Sequence, residues 1–135
     1  MIETARAKGP KKYKADVAKE FQKMIRAEQA ALTSVVVVRD GEITTVNKLP
    51  GYCVCVTCGR SGPYKGTYRQ QFHAGHFLAG RTNAILFEET NCHVQCAGCN
   101  TGTSGNPEHY ITFMLHVYGQ EEVDRLRALK HNRDT

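Results

Sequence analysis

Two Cys-x-x-Cys pairs, Cys55/Cys58 and Cys96/Cys99, carry the strongest chemical signal in the chain. Together they supply four thiolates, enough to close a tetrahedral structural zinc (Zn2+) site. The 37 residues between Cys58 and Cys96 exceed the span of a simple zinc ribbon, so something further is held between the pairs. Within that span lie His73, His76, Asn91 and His93, and Asn100 directly follows the last cysteine. A lone His in a strand is usually a packing or surface residue. Three His and two Asn around one clamped segment invite a chemical reading. An imidazole that titrates near neutrality can take a proton from water. Neighbouring His or Asn side chains can hold a divalent cation, which stabilises extra charge on phosphate and on the leaving oxygen. That combination suits phosphodiester hydrolysis. Cys53 and Cys92 remain over; burial as small residues suits both, although Cys53 could replace Cys55 in another ligand register.

These residues need elements to position them. The chain has 135 residues, 41% of them hydrophobic, with no Trp, which fits one domain with a modest core that zinc would staple. We divide it into a flexible basic arm, residues 1–13, and a single domain, residues 14–135. A helical pattern runs from Lys14 to Leu32, with Val17, Phe21, Met24, Ile25 and Leu32 inward and Glu28 interrupting the stripe. "SVVVVRDGEITTV" predicts a β-hairpin about Asp40-Gly41. "YRQQFHAGHFL" and "NAILFEE" read as two strands joined near Gly80-Arg81-Thr82, the hairpin held between the cysteine pairs. "TGTSG" is a poor helix. Asn106 and Pro107 then start a helix that Gly119 ends, with Asn106 as N-cap. In the last helix, "QEEVDRLRALKH", Val123, Leu126 and Leu129 point inward. The fold class is α+β.

The net charge is +5, and residues 1–14 hold five basic residues against Glu3, or 5 − 1 = +4. A basic arm of this kind suits a polyanion, because phosphate contacts release counterions. Lys11, Lys12 and Lys14, with Lys65, Arg69 and Arg81 farther on, are candidates to grip a DNA backbone. Lys19, Lys23 and Arg26 could do the same, but an ordinary solvated helix face explains them equally well. No run is long enough to span a membrane and the N-terminus lacks an apolar signal core, so we expect a cytoplasmic protein with no membrane partner. In that compartment six cysteines point to metal rather than disulfides.

"HAGHF" followed by Asn91, Cys96, Cys99 and Asn100 resembles the HNH, or His-Me finger, nucleases, whose ββα-metal unit is often braced by four cysteines. In the zinc-braced members the middle Asn stands five residues before the third Cys, as Asn91 does before Cys96. "CVTCG", "AGH", "LFEETNCHVQCAGCN", "SGN" and "GQEEVDRL" together resemble the NinG/Rap recombination nucleases of lambda-like phages, over roughly Lys14 to Lys130. The resemblance implies a zinc-braced HNH core with an N-terminal helix, an additional hairpin and C-terminal helices. It implies a phage-encoded endonuclease, at work in the bacterial host cell on branched DNA such as Holliday junctions or D-loops.

By that analogy His76 is the general base, and Asn91 holds the His76 strand through backbone hydrogen bonds. His73, Asn100 and His93 are candidate ligands of a catalytic Mg2+ or Mn2+, with Asn106 and His109 as substitutes. His93 fits a neighbouring hydrogen-bonding role equally well. His73 stands where the phage family is expected to have Asp, and Asn100 where most HNH enzymes have His. A neutral donor set shifts metal preference toward softer ions such as manganese, nickel or zinc. Symmetric cutting of two strands calls for a homodimer, although no interface is legible. The rival readings are a zinc-stabilised DNA-binding module without cleavage, and an HNH nuclease acting on duplex or nicked DNA.

Overall fold

A computed structural model describes residues 10–64, 71–80 and 83–131. Helix α1, Pro10–Ala31, starts inside the expected arm. Proline suits a first helical turn, because its φ is already helical and its missing N–H would have no partner there. The buried side of α1 carries Ala18, Ile25, Gln29 and Ala30. Val17, Met24 and Leu32, expected inward, are 38%, 37% and 49% exposed, and Glu28 is fully on the solvent side. A polar residue sets this roll. The buried Gln29 amide docks on Val54, donating to its carbonyl at 2.7 Å and accepting its N–H at 2.9 Å. Lys48 Nζ donates to Ala30 O at 3.0 Å and caps the last turn.

Three separate antiparallel hairpins follow. Strands β1 (Ser34–Arg39) and β2 (Glu42–Asn47) turn at Asp40-Gly41 as expected. Both turn residues have positive φ (53° and 79°), which matches the twist of a two-residue hairpin. Strands β3 (Tyr52–Val54) and β4 (Ser61–Pro63) flank the first cysteine pair. Strand β5 (Phe72–His76) pairs with β6 (Cys92–Cys96), from Phe72 opposite Cys96 to His76 opposite Cys92. Val56 joins the hairpins. Its N–H donates to Val94 O at 3.0 Å, and its carbonyl accepts from Val38 N–H at 2.8 Å.

The partner of β5 is therefore "CHVQC", and not "NAILFEE". Asn83–Leu86 forms a single helical turn, α2, and Glu89–Asn91 a 3₁₀ turn. The apolar residues of "NAILFEE" supplied the strand signal but do not alternate, whereas Cys92, Val94 and Cys96 line one face of β6. A π-helical turn, Gly98–Gly102, occupies the segment judged a poor helix. Ser104, Gly105 and Asn106 then take left-handed backbone in succession, before α3 (Pro107–Val117) and α4 (Gln120–His131). Asn106 holds the N-cap position without a side-chain cap bond. Ile25, Phe72, Ala74, Val94 and five of the cysteines pack between α1 and the β5–β6 hairpin. Tyr110, Met114, Val123 and Leu126 form a second core with Val38, Val56 and Ile85. Among the described residues no helix is long and apolar enough to cross a membrane.

Gly75 in β5 has no room for a side chain. A Cβ there would lie 1.9 Å from Gln95 Oε1. The buried Gln95 amide cannot swing aside, because Nε2 donates to Thr57 Oγ1 at 3.0 Å and to Gly105 O at 2.9 Å. Gly75→Ala is expected to cost about 1–3 kcal/mol by overpacking. Denaturant unfolding would read this as a lower midpoint at unchanged slope; wild-type stability would count against the packing described.

Candidate functional site

The sulfurs of Cys55, Cys58, Cys96 and Cys99 lie within 4.8 Å of one another. In a tetrahedral thiolate site with metal–sulfur bonds of about 2.3 Å, sulfurs sit about 3.8 Å apart. Cys58 Sγ and Cys96 Sγ are 3.7 Å apart, so the set fits a metal ion such as zinc. Cys55 and Cys58 are held by a tight turn, with Gly59 N–H donating to Cys55 O at 2.8 Å. Cys96 ends β6 and Cys99 sits in the π turn. Thr57 Oγ1 lies 3.3 Å from Cys55 Sγ, and Asn106 Nδ2 donates to Cys99 Sγ at 3.5 Å. Burial pushes the Cys58 and Cys96 thiols up, while at Cys55 burial is outweighed by hydrogen bonds, Thr57 foremost, which lower the thiol; a bound dication would favour the thiolate form at all four. Cys53 and Cys92 are not in the cluster. They are buried in the core under α1, which raises both thiols, Cys92 to about 12.

A cleft of about 470 Å³ opens beside this cluster. One wall is His73, Ala74 and His76 of β5 with Asn100; the other is Lys19, Gln22, Lys23 and Arg26 of α1. A second hollow, about 270 Å³, shares His76 and Asn100 and adds Ser104 and Gly105. Asn100 Nδ2 donates to His73 Nδ1 at 2.9 Å, so His73 presents a lone pair at Nδ1. His76 Nε2 lies 3.1 Å from Leu86 O. A carbonyl can only accept, so Nε2 carries the proton and the neutral ring has its lone pair on Nδ1.

Asn91, fully buried, fixes the segment that supplies this carbonyl. Its Oδ1 accepts Leu78 N–H at 2.9 Å, and its Nδ2 donates to Leu78 O at 3.0 Å and Ile85 O at 3.4 Å. Its own carbonyl accepts Phe77 N–H at 2.8 Å. One amide thus ties together both sides of the excursion between β5 and β6. Helix α4 braces the turn from outside: Arg125 donates to Glu88 and Glu122, and Thr90 Oγ1 to Glu122. Hydrogen bonds from Arg125, then from Thr90, hold the Glu122 carboxyl down at about 2.

His93 does not join this group. It pairs across the ladder with Gly75 and packs on Tyr110, Phe113 and Tyr118. Tyr110 donates to Gly75 O at 2.7 Å, so its oxygen accepts from His93 Nδ1–H at 3.0 Å. Nε2 accepts from Tyr118 OH at 2.7 Å. Both ring nitrogens are used, and burial, with His76 as a lesser cause, pushes the pKa well down. Its expected hydrogen-bonding role thus describes the contacts better than a ligand role. Asn106 and His109 line neither hollow. They bond to each other at 3.3 Å, and Asn106 reaches Thr57 O and Cys99 Sγ at the sulfur cluster.

Of the expected backbone-gripping residues, Lys65, Arg69 and Arg81 lie outside the described residues, as do residues 1–9. Lys11, Lys12 and Lys14 stand near the start of α1, and Lys14 does not line the cleft. Lys19, Lys23 and Arg26, which on sequence grounds suited DNA contact and an ordinary helix face equally, do line it. The hint in the sequence was their spacing of four and three residues, but the wall they face depends on the Gln29 lock.

A family model described as "NinG: Bacteriophage Lambda NinG protein" matches residues 2–135. "Protein ninG" of Escherichia phage 933W is 36% identical over 83 residues, 58% of this chain and 36% of that protein; "Protein ninG" of Escherichia phage lambda gives the same figures. "Protein ninG" of Salmonella phage P22 is 32% identical over 78 residues, 55% of this chain and 34% of that protein. The chain thus matches about a third of the length of these relatives. No solved structure matches it significantly. The purified protein is expected to carry one tightly held zinc per chain. Cys99→Ser should lose it, with a thermal midpoint lower by about 10 °C or more. Metal analysis that finds no zinc in wild type would contradict the four-sulfur site.

Proposed function

The chain belongs to the bacteriophage NinG family, and from that premise we propose that it is a metal-dependent endonuclease of the HNH type, acting on branched DNA in the infected host cell. One observation carries the reading: His76, with its lone pair on Nδ1, shares a cleft with His73 and Asn100 next to a four-sulfur clamp. The clamp takes a structural zinc. It holds β6 and the π turn that bears Asn100 against the first cysteine pair, and His73 and His76 of β5 line one cleft with Asn100.

His76 acts as the general base. Leu86 O fixes its tautomer, so Nδ1 takes the proton from the attacking water, and the resulting imidazolium keeps its Nε2–H on the carbonyl. Asn91 is a positioning residue, since its bonds to Leu78 and Ile85 hold the segment that supplies that carbonyl. His73 Nδ1 and the Asn100 side-chain oxygen fit a loosely held divalent ion, once the Asn100 amide turns its oxygen inward. Such an ion supplies stabilisation of charge on the phosphate and on the leaving oxygen. Both donors are neutral, which favours manganese or a softer ion over magnesium. Tyr110 supports the strand from behind by donating to Gly75 O, next to His76.

Wild type and His76→Ala would be incubated with a synthetic four-way junction and a plain duplex, with magnesium, manganese or no added divalent ion. Wild type is expected to cut the junction in a metal-dependent way, more strongly with manganese, and His76→Ala to lose 10²-fold or more, about the contribution of a general base. Undiminished cleavage by His76→Ala, or none by wild type with any divalent ion, would overturn the mechanism.

A further inference from the structure

We propose that the Lys19–Lys23–Arg26 row of α1 is the phosphate-binding wall of the cleft, along which one DNA strand lies with the scissile phosphate between Arg26 and His76. The proposal builds on the nuclease reading by naming where the strand runs.

Lys19, Lys23 and Arg26 follow at four- and three-residue intervals, so they share one face of α1. All three line the cleft that holds His73, His76 and Asn100, and among the described residues no acidic one lines it. Lys23 pairs with Glu20 at 3.7 Å, but both side chains are mostly exposed (62% and 72%), so the pair is screened and weak. Seven residues of helix rise about 10.5 Å, while phosphates of one strand advance about 3.4 Å each along a duplex axis. The row therefore spans about three phosphate-to-phosphate steps. Arg26 is half-buried, and its planar guanidinium suits the non-bridging phosphate oxygens.

The roll of α1 gives this face its direction. The Gln29–Val54 bonds that leave Val17 and Met24 in solvent also turn Lys19, Lys23 and Arg26 over β5. The row also answers a weakness of the site. His73 and Asn100 bring no negative charge to hold a cation, and three positive charges lining the same cleft attract the phosphate without one.

Binding is measured on the zinc-loaded 135-residue chain with no added divalent ion, by fluorescence polarisation of a labelled four-way junction over a series of potassium chloride concentrations. Lys19→Gln/Lys23→Gln changes two exposed side chains, so folding is kept, as a thermal melt would verify. Its slope of log affinity against log salt should be shallower by about 1.8 than wild type, for two lost phosphate contacts. Arg26→Gln should flatten it by a further 0.9 or so. Lys130→Ala, on α4, should leave the slope unchanged. A double variant with the wild-type slope, or a slope that Lys130→Ala flattens equally, would overturn the wall. The two readings fail separately. A wild-type slope in variants of an enzyme that cuts junctions sinks the wall and spares the nuclease. The expected slopes in a protein that cuts nothing under any metal support the wall and sink the nuclease.

Discussion

Four sulfur atoms within 4.8 Å of one another are the constraint from which the rest of this small fold follows. The three hairpins share no strand, and each alone is too small to be stable in water. The sulfur cluster ties the β3–β4 turn to the end of β6 and to the π turn that follows. Val56 adds one backbone bond on each side, and the cores under α1 and α3 close around the result. The cluster could hold a metal ion such as zinc, and binding there would be folding free energy.

Backbone carbonyls do much of the positioning around His76. Leu86 O selects the tautomer, Gly75 O is held by Tyr110, and the chain on either side of the excursion is tied by the Asn91 amide. These bonds need a well-defined loop more than particular loop side chains. The residues that enforce it are Asn91, buried between the loop's two sides, and the Glu88–Arg125–Glu122–Thr90 network that fastens it to α4. His93 serves the same end from the opposite face, as part of the Tyr118–His93–Tyr110–Gly75 chain.

The four-cysteine set, the first hairpin and the last two helices were legible because each rests on a local pattern: a fixed spacing, a turn dipeptide, a helix start. The backbone bonds of Asn91 were expected from the family resemblance alone. Other features depend on non-local partners. "NAILFEE" reads as a strand until the neighbour of β5 is known to be "CHVQC". The stripe of α1 reads as Val17–Met24–Leu32 until the Gln29 amide is seen to dock on Val54, and this one polar contact turns toward the cleft a face that read equally as DNA-contacting or solvated. His93 and His73 are chemically alike in sequence, and only their neighbours, aromatic rings for one and Asn100 for the other, separate them.

The central claim is that the sulfur clamp makes a second, weaker ion site at His73 and Asn100, within reach of His76 and away from His93. Paramagnetic Mn2+ added in small steps to the zinc-loaded protein, with the imidazole resonances followed by NMR, tests it most directly. The account predicts that the His73 signals broaden first and His76 next, while His116 and His131 stay sharp. Broadening that begins at His109 or His116, or that spreads evenly over every histidine, would contradict it.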